Sequence, residues 1–395
     1  MRRSPLAIIF FTVFIDLVGF GIVLPMLPYY AESYGASKLR VGLLLASYSL
    51  MQFLFTPVWG RLSDRHGRRP LILLSLAGSC IGFLIFGSAR SLPLLFVGRM
   101  VAGIAGAIIP TTNAYIADVT SPETRAKGMG MVGAAFGLGF ILGPAIGGLL
   151  APFGYNKAPL FASAMAGLNL AFACFKLPES LTEEARRKAL RRRFDARTLM
   201  NALSHPRVGL LLAMYFVVTF AFSNMESMFS LLNEHAYGLT ATQTSYMFAF
   251  IGIVMSLMQG VLVGRAVRRF GERLCITFGT FTMIICLALM PYAPNIPIYC
   301  LISGLLAMGA GINNPALTGL LSRSSSVDEQ GGILGIAQSL SSLGRILGPT
   351  WGGYTSDEFG LRWPFLTGGL FMALAFLLSL KNLANSTRLP EPGPS

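Results

Sequence analysis

The chain is 395 residues long and 53% hydrophobic. Only 12% of its residues are charged, about half the usual share of a soluble domain, which excludes a soluble enzyme, a disordered chain and a secreted disulfide mini-protein. The net charge of +14 would suggest nucleic acid in a soluble protein, but the placement of the basic residues argues against it.

Apolar stretches of about 20 residues, the length of a bilayer-crossing helix, recur from end to end. They predict twelve spans, at residues 5–29, 39–60, 70–89, 93–117, 125–150, 158–177, 208–232, 241–264, 274–291, 295–321, 331–354 and 361–380. The first could be taken for a signal peptide because Arg2 and Arg3 precede it. It is too long, contains Asp16, and leads to Pro25 and Pro28 instead of a small-residue cleavage site, so it reads as a retained span. With the N-terminus inside, 24 of the 31 Lys and Arg residues fall on the cytoplasmic side. Lys38, Arg40, Arg90, Lys157 and Arg362 fall outside, and Arg99 and Arg345 lie within spans. The positive-inside rule then puts both termini in the cytoplasm, and nucleic acid is not an expected partner. Cys80, Cys174, Cys275, Cys286 and Cys300 lie in or beside apolar segments without ligand-like spacing, so neither a disulfide nor a metal site is expected.

The second span ends in Gly60-Arg61-Leu62-Ser63-Asp64-Arg65-His66-Gly67-Arg68-Arg69, and Gly60 and Gly67 are expected to allow a tight loop. This run returns 204 positions later as Gly264-Arg265-Ala266-Val267-Arg268-Arg269-Phe270-Gly271-Glu272-Arg273. Leu142-Gly143-Pro144 with Gly147-Gly148 returns 205 positions later as Leu347-Gly348-Pro349 with Gly352-Gly353, and Pro110 returns as Pro315. The chain is therefore a six-helix unit used twice in parallel, residues 1–177 and 208–395, an arrangement that places a substrate site between the halves near the bilayer midplane. The fifth-span glycines Gly133, Gly137, Gly139, Gly143 and Gly147, with Pro144 and Gly148, are expected to form a leak-tight seam between the halves, repeated by Gly335, Gly344, Gly348 and Pro349. The long connection, residues 178–207, carries Arg186, Arg187, Lys188, Arg191, Arg192, Arg193 and Arg197. Ser180 and Glu183 form a capping box, and Leu190 and Phe194 share a face, which predicts a short basic helix on anionic lipid; docking of a partner is the alternative.

Ionisable residues inside spans are costly and mark function by default. Asp16, Arg99, Glu226 and Arg345 are the four well inside. An acid that meets water in one state and an arginine in another binds and releases a proton in a cycle, so Asp16 and Glu226 are the candidate proton carriers, with Arg99 and Arg345 as partners. Structural salt bridges are the competing reading. Gln52, Asn113, Tyr115, Asn224, Asn313, Asn314 and Gln338 are candidates to line a cavity, each equally able to fasten helices together. Arg99 and Asn113 are 14 positions apart, within ~40° on a continuous helix.

These residues carry a family resemblance. The Gly60–Pro70 run resembles the loop 2–3 motif of the major facilitator superfamily. Gly133–Gly148 resembles the fifth-helix motif of drug–proton exchangers. Asp16 through Pro28, and Gly98-Arg99 with Gly103 and Gly106, are similar to the first and fourth helices of its tetracycline and multidrug branch. Tetracycline exporters carry a third-helix acid where Gly82 stands here, a departure that argues against tetracycline itself as the cargo. The resemblance implies an all-α membrane protein with twelve transmembrane helices in two six-helix bundles related by a pseudo-twofold axis. It implies proton-coupled export of small amphipathic compounds by alternating access, as a monomer in a bacterial inner membrane. Small molecules, protons and lipid are the implied partners, and the proton gradient the driving force, with no cofactor and no metal. It further implies that Asp64 meets the start of the eleventh helix near Gly331-Gly332 and that Arg68 meets Asp118. With Gly60, Arg65, Gly67 and Arg69, these residues would then form a cytoplasmic gate. Two rivals stay open: the same fold carrying a sugar, metabolite, peptide or lipid, and a non-transporting sensor or scaffold. An enzyme is not expected, since no HExxH, GxSxG or paired catalytic aspartates occur in the spans; nor is direct ATP drive, since there is no Walker motif.

Overall fold

A computed structural model describes residues 5–181, 206–324 and 330–384. The predicted basic helix, from Glu183 through Arg197, lies outside the described residues. Every regular element among the described residues is helical.

The first predicted span divides in two. Helix α1 (Pro5–Val23) stops before Pro25, and α2 (Leu27–Glu32) follows with Pro28 in its first turn. Proline lacks the N–H that would continue the ladder but fits at a helix start. Helix α3 (Lys38–His66) runs through the loop motif as far as His66, and α4 starts at Arg68 and ends at Gly87. The predicted loop is thus one residue, Gly67, with φ 105° and ψ 158°. Gly60 lies inside α3 with open space around it and supplies no tight turn, contrary to the expectation. The fourth span also divides, into α5 (Leu92–Gly106) and α6 (Ile109–Val119), with Pro110 in the first turn of α6. Helices α7 (Pro122–Leu150), α8 (Lys157–Lys176), α9 (Pro206–Tyr237) and α10 (Ala241–Leu257) come next. A π-helical turn, Met258–Leu262, leads into α11 (Val263–Leu289), and α12 (Ile296–Arg323), α13 (Gln330–Phe359) and α14 (Trp363–Ala384) complete the chain.

Ten segments of the described residues are long and apolar enough to cross a membrane. One of them, Ala241–Tyr292, has 52 residues, about twice what a bilayer needs, and its backbone leaves the helix at Gly271 (φ 79°, ψ 158°). It supplies two crossings. The remaining crossing is α13, whose Arg345 and serines lower its apolarity but whose 30 residues are ample for a span.

The repeat is visible in the backbone. Gly35 and Gly238 (φ 72° and 64°), Gly67 and Gly271, and Gly154 and Gly360 (φ 111° and 100°) form pairs 203 to 206 positions apart, all in a region that favours glycine. Ser91 and Asn295, both extended, precede α5 and α12.

Contacts divide the chain into two compact units. The first takes Met1–Phe194 together with Phe229–Gly252, and the second takes Asp195–Met228 and Ile253–Ser395. Within the first, α1 lies against α7 with almost no side chain between them. A Cβ on Gly139 would stand 2.8 Å from the Leu17 Cβ, one on Gly143 2.7 Å from the Gly21 Cα, and one on Gly147 2.7 Å from the Ile22 carbonyl oxygen. The second unit repeats this between α13 and α9: a Cβ on Gly344 would stand 3.0 Å from Phe220 N, and one on Gly348 2.7 Å from the Phe220 oxygen. The predicted seam between halves is therefore, for these glycines, a seam inside each unit. Gly148 faces another element, α10, at Ser245 and Tyr246.

Candidate functional site

The Gly67 loop is held by charge. Arg68, buried at 7% exposure, places Nη1 2.6 Å from the Asp64 carboxylate and Nε 3.3 Å from that of Asp118 at the end of α6, and it donates to Ser63 Oγ at 2.7 Å. Arg65 is exposed, and Arg69 donates to the Cys174 carbonyl at 2.7 Å. Asp64 therefore pairs within its own loop. The carboxylate that caps a helix here is Glu179, which sequence reasoning passed over. It accepts from the backbone N–H groups of Arg68 (2.9 Å) and Arg69 (3.1 Å) at the start of α4, and from those of Ser180 and Leu181. A Cβ at residue 67 would meet Glu179 Oε2 at 2.5 Å, a second reason for glycine there. Only the position of an acid just beyond the sixth span hinted at this, since 111 residues separate Glu179 from Arg68.

In the second unit the polarity is reversed. Arg268 stands where Asp64 stood, Glu272 where Arg68 stood, and Glu272 Oε1 is 3.1 Å from Arg323 Nε at the end of α12, the counterpart of Asp118. The architecture needs an ion pair at this corner and is indifferent to its sign.

Loss of the cap by Glu179→Ala is expected to cost about 1 kcal/mol, as for other helix caps. Gly67→Ala is expected to cost more, because it adds the ~1–2 kcal/mol of a left-handed non-glycine residue to displacement of Glu179. Thermal unfolding of the purified variants in detergent checks the order.

The four ionisable residues within the spans do not form two like pairs. Glu226 of α9 faces Arg345 of α13, and Arg345 also donates to Ser341 Oγ at 3.1 Å. Asp16 of α1 faces the Ser79 hydroxyl of α4, not an arginine. Arg99 is 3% exposed. Its guanidinium carbon lies 4.5 Å from the Tyr48 ring centroid and 5.8 Å from that of Phe20, and its Nε and Nη1 are buried without a hydrogen-bond partner. Contact with aromatic faces is worth about 2 kcal/mol when desolvated, which offsets only part of the cost of burying the charge.

Several candidate cavity residues are fasteners instead. Tyr115 is fully buried and donates to the Pro178 carbonyl at 3.1 Å. Asn224 is fully buried and donates to the Pro364 carbonyl at 2.7 Å, and a Cβ on Gly352 would meet its Oδ1 at 2.6 Å. Asn313 is no fastener: it is buried where α12 meets Gly279 of α11, and neither atom of its amide group has a hydrogen-bond partner. Gln52 donates to the Gly106 carbonyl at 2.9 Å, and Asn314 accepts from the Tyr215 hydroxyl at 3.2 Å. Gln338 is exposed and Asn113 half-buried. The ~40° offset between Asn113 and Arg99 assumes a continuous helix, and the helix is interrupted between Gly106 and Ile109. Gly82, in place of the branch's acid, leaves no room for a side chain: its Cβ would lie 2.7 Å from Ala102 N of α5.

The Major Facilitator Superfamily matches residues 9–273 and, in a second overlapping match, residues 211–394. The chain belongs to this superfamily. It is 37% identical over 353 residues to the class C tetracycline resistance protein of Escherichia coli, with 88% of each chain covered. It is 30% identical to multidrug resistance protein 2 of Bacillus subtilis (strain 168), covering 96% of this chain and 95% of that one. The crystal structure of the human organic anion transporter MFSD10 (TETRAN) aligns with a TM-score of 0.72 at 26% identity, over 96% of this chain and 99% of that one. The protein is thus an integral membrane protein of a small-molecule transporter family.

Proposed function

We propose that this chain exports small amphipathic compounds, drugs among them, in exchange for protons by alternating access. The observation that carries the reading is a half-buried carboxyl, Asp16, set in the first span beside the Ser79 hydroxyl, in a chain whose relatives are named for resistance to tetracycline and to multiple drugs. Asp16 carries the proton, and Glu226 with Arg345 forms a charge pair whose balance changes in the cycle. The bundles are residues 1–177 and 208–395, and the basic connection 178–207 rests on anionic lipid. Gly60, Asp64, Arg65, Gly67, Arg68, Arg69 and Asp118 form the cytoplasmic gate. The protein works as a monomer in a bacterial inner membrane with both termini in the cytoplasm, and the proton gradient replaces any cofactor. One charge crossing 100 mV supplies about 2.3 kcal/mol, and each pH unit adds ~1.4 kcal/mol. Together these sustain a concentration ratio of about a hundredfold or more. The test is reconstitution: vesicles with an imposed pH difference are expected to accumulate an amphipathic dye and to lose it when the gradient is collapsed. Transport indifferent to the gradient overturns the coupling.

Arg99 favours a second reading of the cargo, as an anion. Its guanidinium has unpartnered, buried nitrogens, and one structural relative is named an organic anion transporter. Arg99→Gln is then expected to depress uptake of a carboxylate-bearing dye at least tenfold more than that of its uncharged ester. Equal loss for both dyes removes this reading.

A further inference from the structure

On the membrane face opposite the Gly67 loop, α2 and α9 end side by side in the first unit. Glu32 is the last residue of α2, and Glu234 and His235 lie in the last turn of α9. His235 Nε2 is 3.1 Å from Glu32 Oε2 and 3.3 Å from its Oε1. The carboxylate and imidazole ligand atoms of all three residues lie within 4.8 Å of one another. Two carboxylates in the last turns of helices are placed where the carbonyl ends already make the field negative. Stability alone would choose lysine or arginine there.

A second observation points the same way. Glu234 Oε2 is buried and has no hydrogen-bond partner. The neighbouring Tyr29 hydroxyl does not supply one, being bonded to Thr244 Oγ1 at 2.7 Å and to the Leu239 carbonyl at 3.2 Å. A buried carboxylate oxygen without a donor is costly unless something positive completes it. Among the described residues, the ion pair at this corner is that of His235 with Glu32.

We propose that Glu32, Glu234 and His235 form a binding site for a first-row divalent cation of the zinc type. The imidazole favours such an ion over Mg2+ or Ca2+, which take oxygen ligands. Three protein ligands leave a coordination position for water. The site joins residues 203 positions apart. It sits about 12 Å along α9 from Glu226, at 1.5 Å per residue. If the transport reading above holds, the bound metal restrains the helix that carries Glu226 and slows the cycle from that side.

The test is calorimetric titration of ZnCl2 into the tag-free, full-length protein in detergent. The sequence has only three histidines, His66, His205 and His235, so the controls are few. One Zn2+ per chain is expected, unchanged in His66→Ala and His205→Ala. The conservative Glu234→Gln and Glu32→Gln, and His235→Ala, are each expected to weaken it by about tenfold or more. A tenfold excess of Mg2+ or Ca2+ is expected not to displace it. No stoichiometric binding, binding that survives the Glu234 and His235 variants, or equal displacement by Ca2+ overturns the site. These outcomes are read without transport, so loss of the export reading leaves the test intact.

Discussion

Asp16→Asn is expected to abolish compound-driven proton release from the purified protein and to flatten pH-driven accumulation from about a hundredfold to none, while compound binding persists. The reason lies in the unequal surroundings of the two membrane acids. Asp16 has Ser79 as its partner, a neutral group that can receive a hydrogen bond from the protonated acid or donate one to the ionised acid. Its protonation is therefore free to follow access to water. Glu226 has the Arg345 charge acting on it, which answers part of its own charge, so its protonation depends on that arginine as well as on water. Asparagine at residue 16 keeps the size and the hydrogen bond and removes only the proton site, so the fold should be retained. Glu226→Gln is expected to impair transport partly, and its effect should be non-additive with that of Arg345→Gln, because the Arg345 charge acts on Glu226. The measurement is pH change in weakly buffered detergent solution on adding compound, beside binding of the same compound by fluorescence. Undiminished proton release in Asp16→Asn would remove this acid from the mechanism.

The second large effect is steric. Gly143→Ala is expected to destabilise the protein by about 1–3 kcal/mol, the range for overpacking a tight contact, and to stop transport. Its Cβ would lie 2.7 Å from the Gly21 backbone and 2.8 Å from the Val18 carbonyl oxygen. No side-chain rotation relieves a clash with backbone, so α1 must move away from α7. That helix carries Asp16, and the adjoining contact, Gly139 on Leu17, is at the very next residue. Gly133→Ala on the same helix is the control. Nothing lies within 4 Å of its added methyl, and alanine in a helix interior gains about 0.5–1 kcal/mol over glycine. Thermal unfolding should therefore move in opposite directions for two glycines of one motif. If both variants unfold alike, the seam does not carry the stability assigned to it.

The same two glycines mark how far residue patterns reach. A glycine-rich motif with Pro144 announced close helix packing, but not which helix would be packed. The seam expected between halves runs instead from Gly139, Gly143 and Gly147 to α1. Likewise nothing in the loop motif pointed to Glu179, which caps α4 from 111 residues away. Arg99 and Asn113 were placed on one face by counting residues, which holds only while the helix is unbroken.

Properties carried by short stretches of chain were legible directly. These are the length and apolarity of the spans, the asymmetry of Lys and Arg, the repeat at about 204 positions, the loop motif, and through them the superfamily. Each depends on neighbours along the chain, where hydrophobic transfer and backbone preference act residue by residue. Pairing depends instead on the angular phase of whole helices and on where Pro25, Gly67 and Gly271 interrupt them. Tertiary structure alone decided that Asp16 meets Ser79, that Glu226 meets Arg345, and that Glu32 meets His235. Helices separated by a hundred or more residues can be docked in many registers of similar apolar area, and it is steric fit between small residues that selects one.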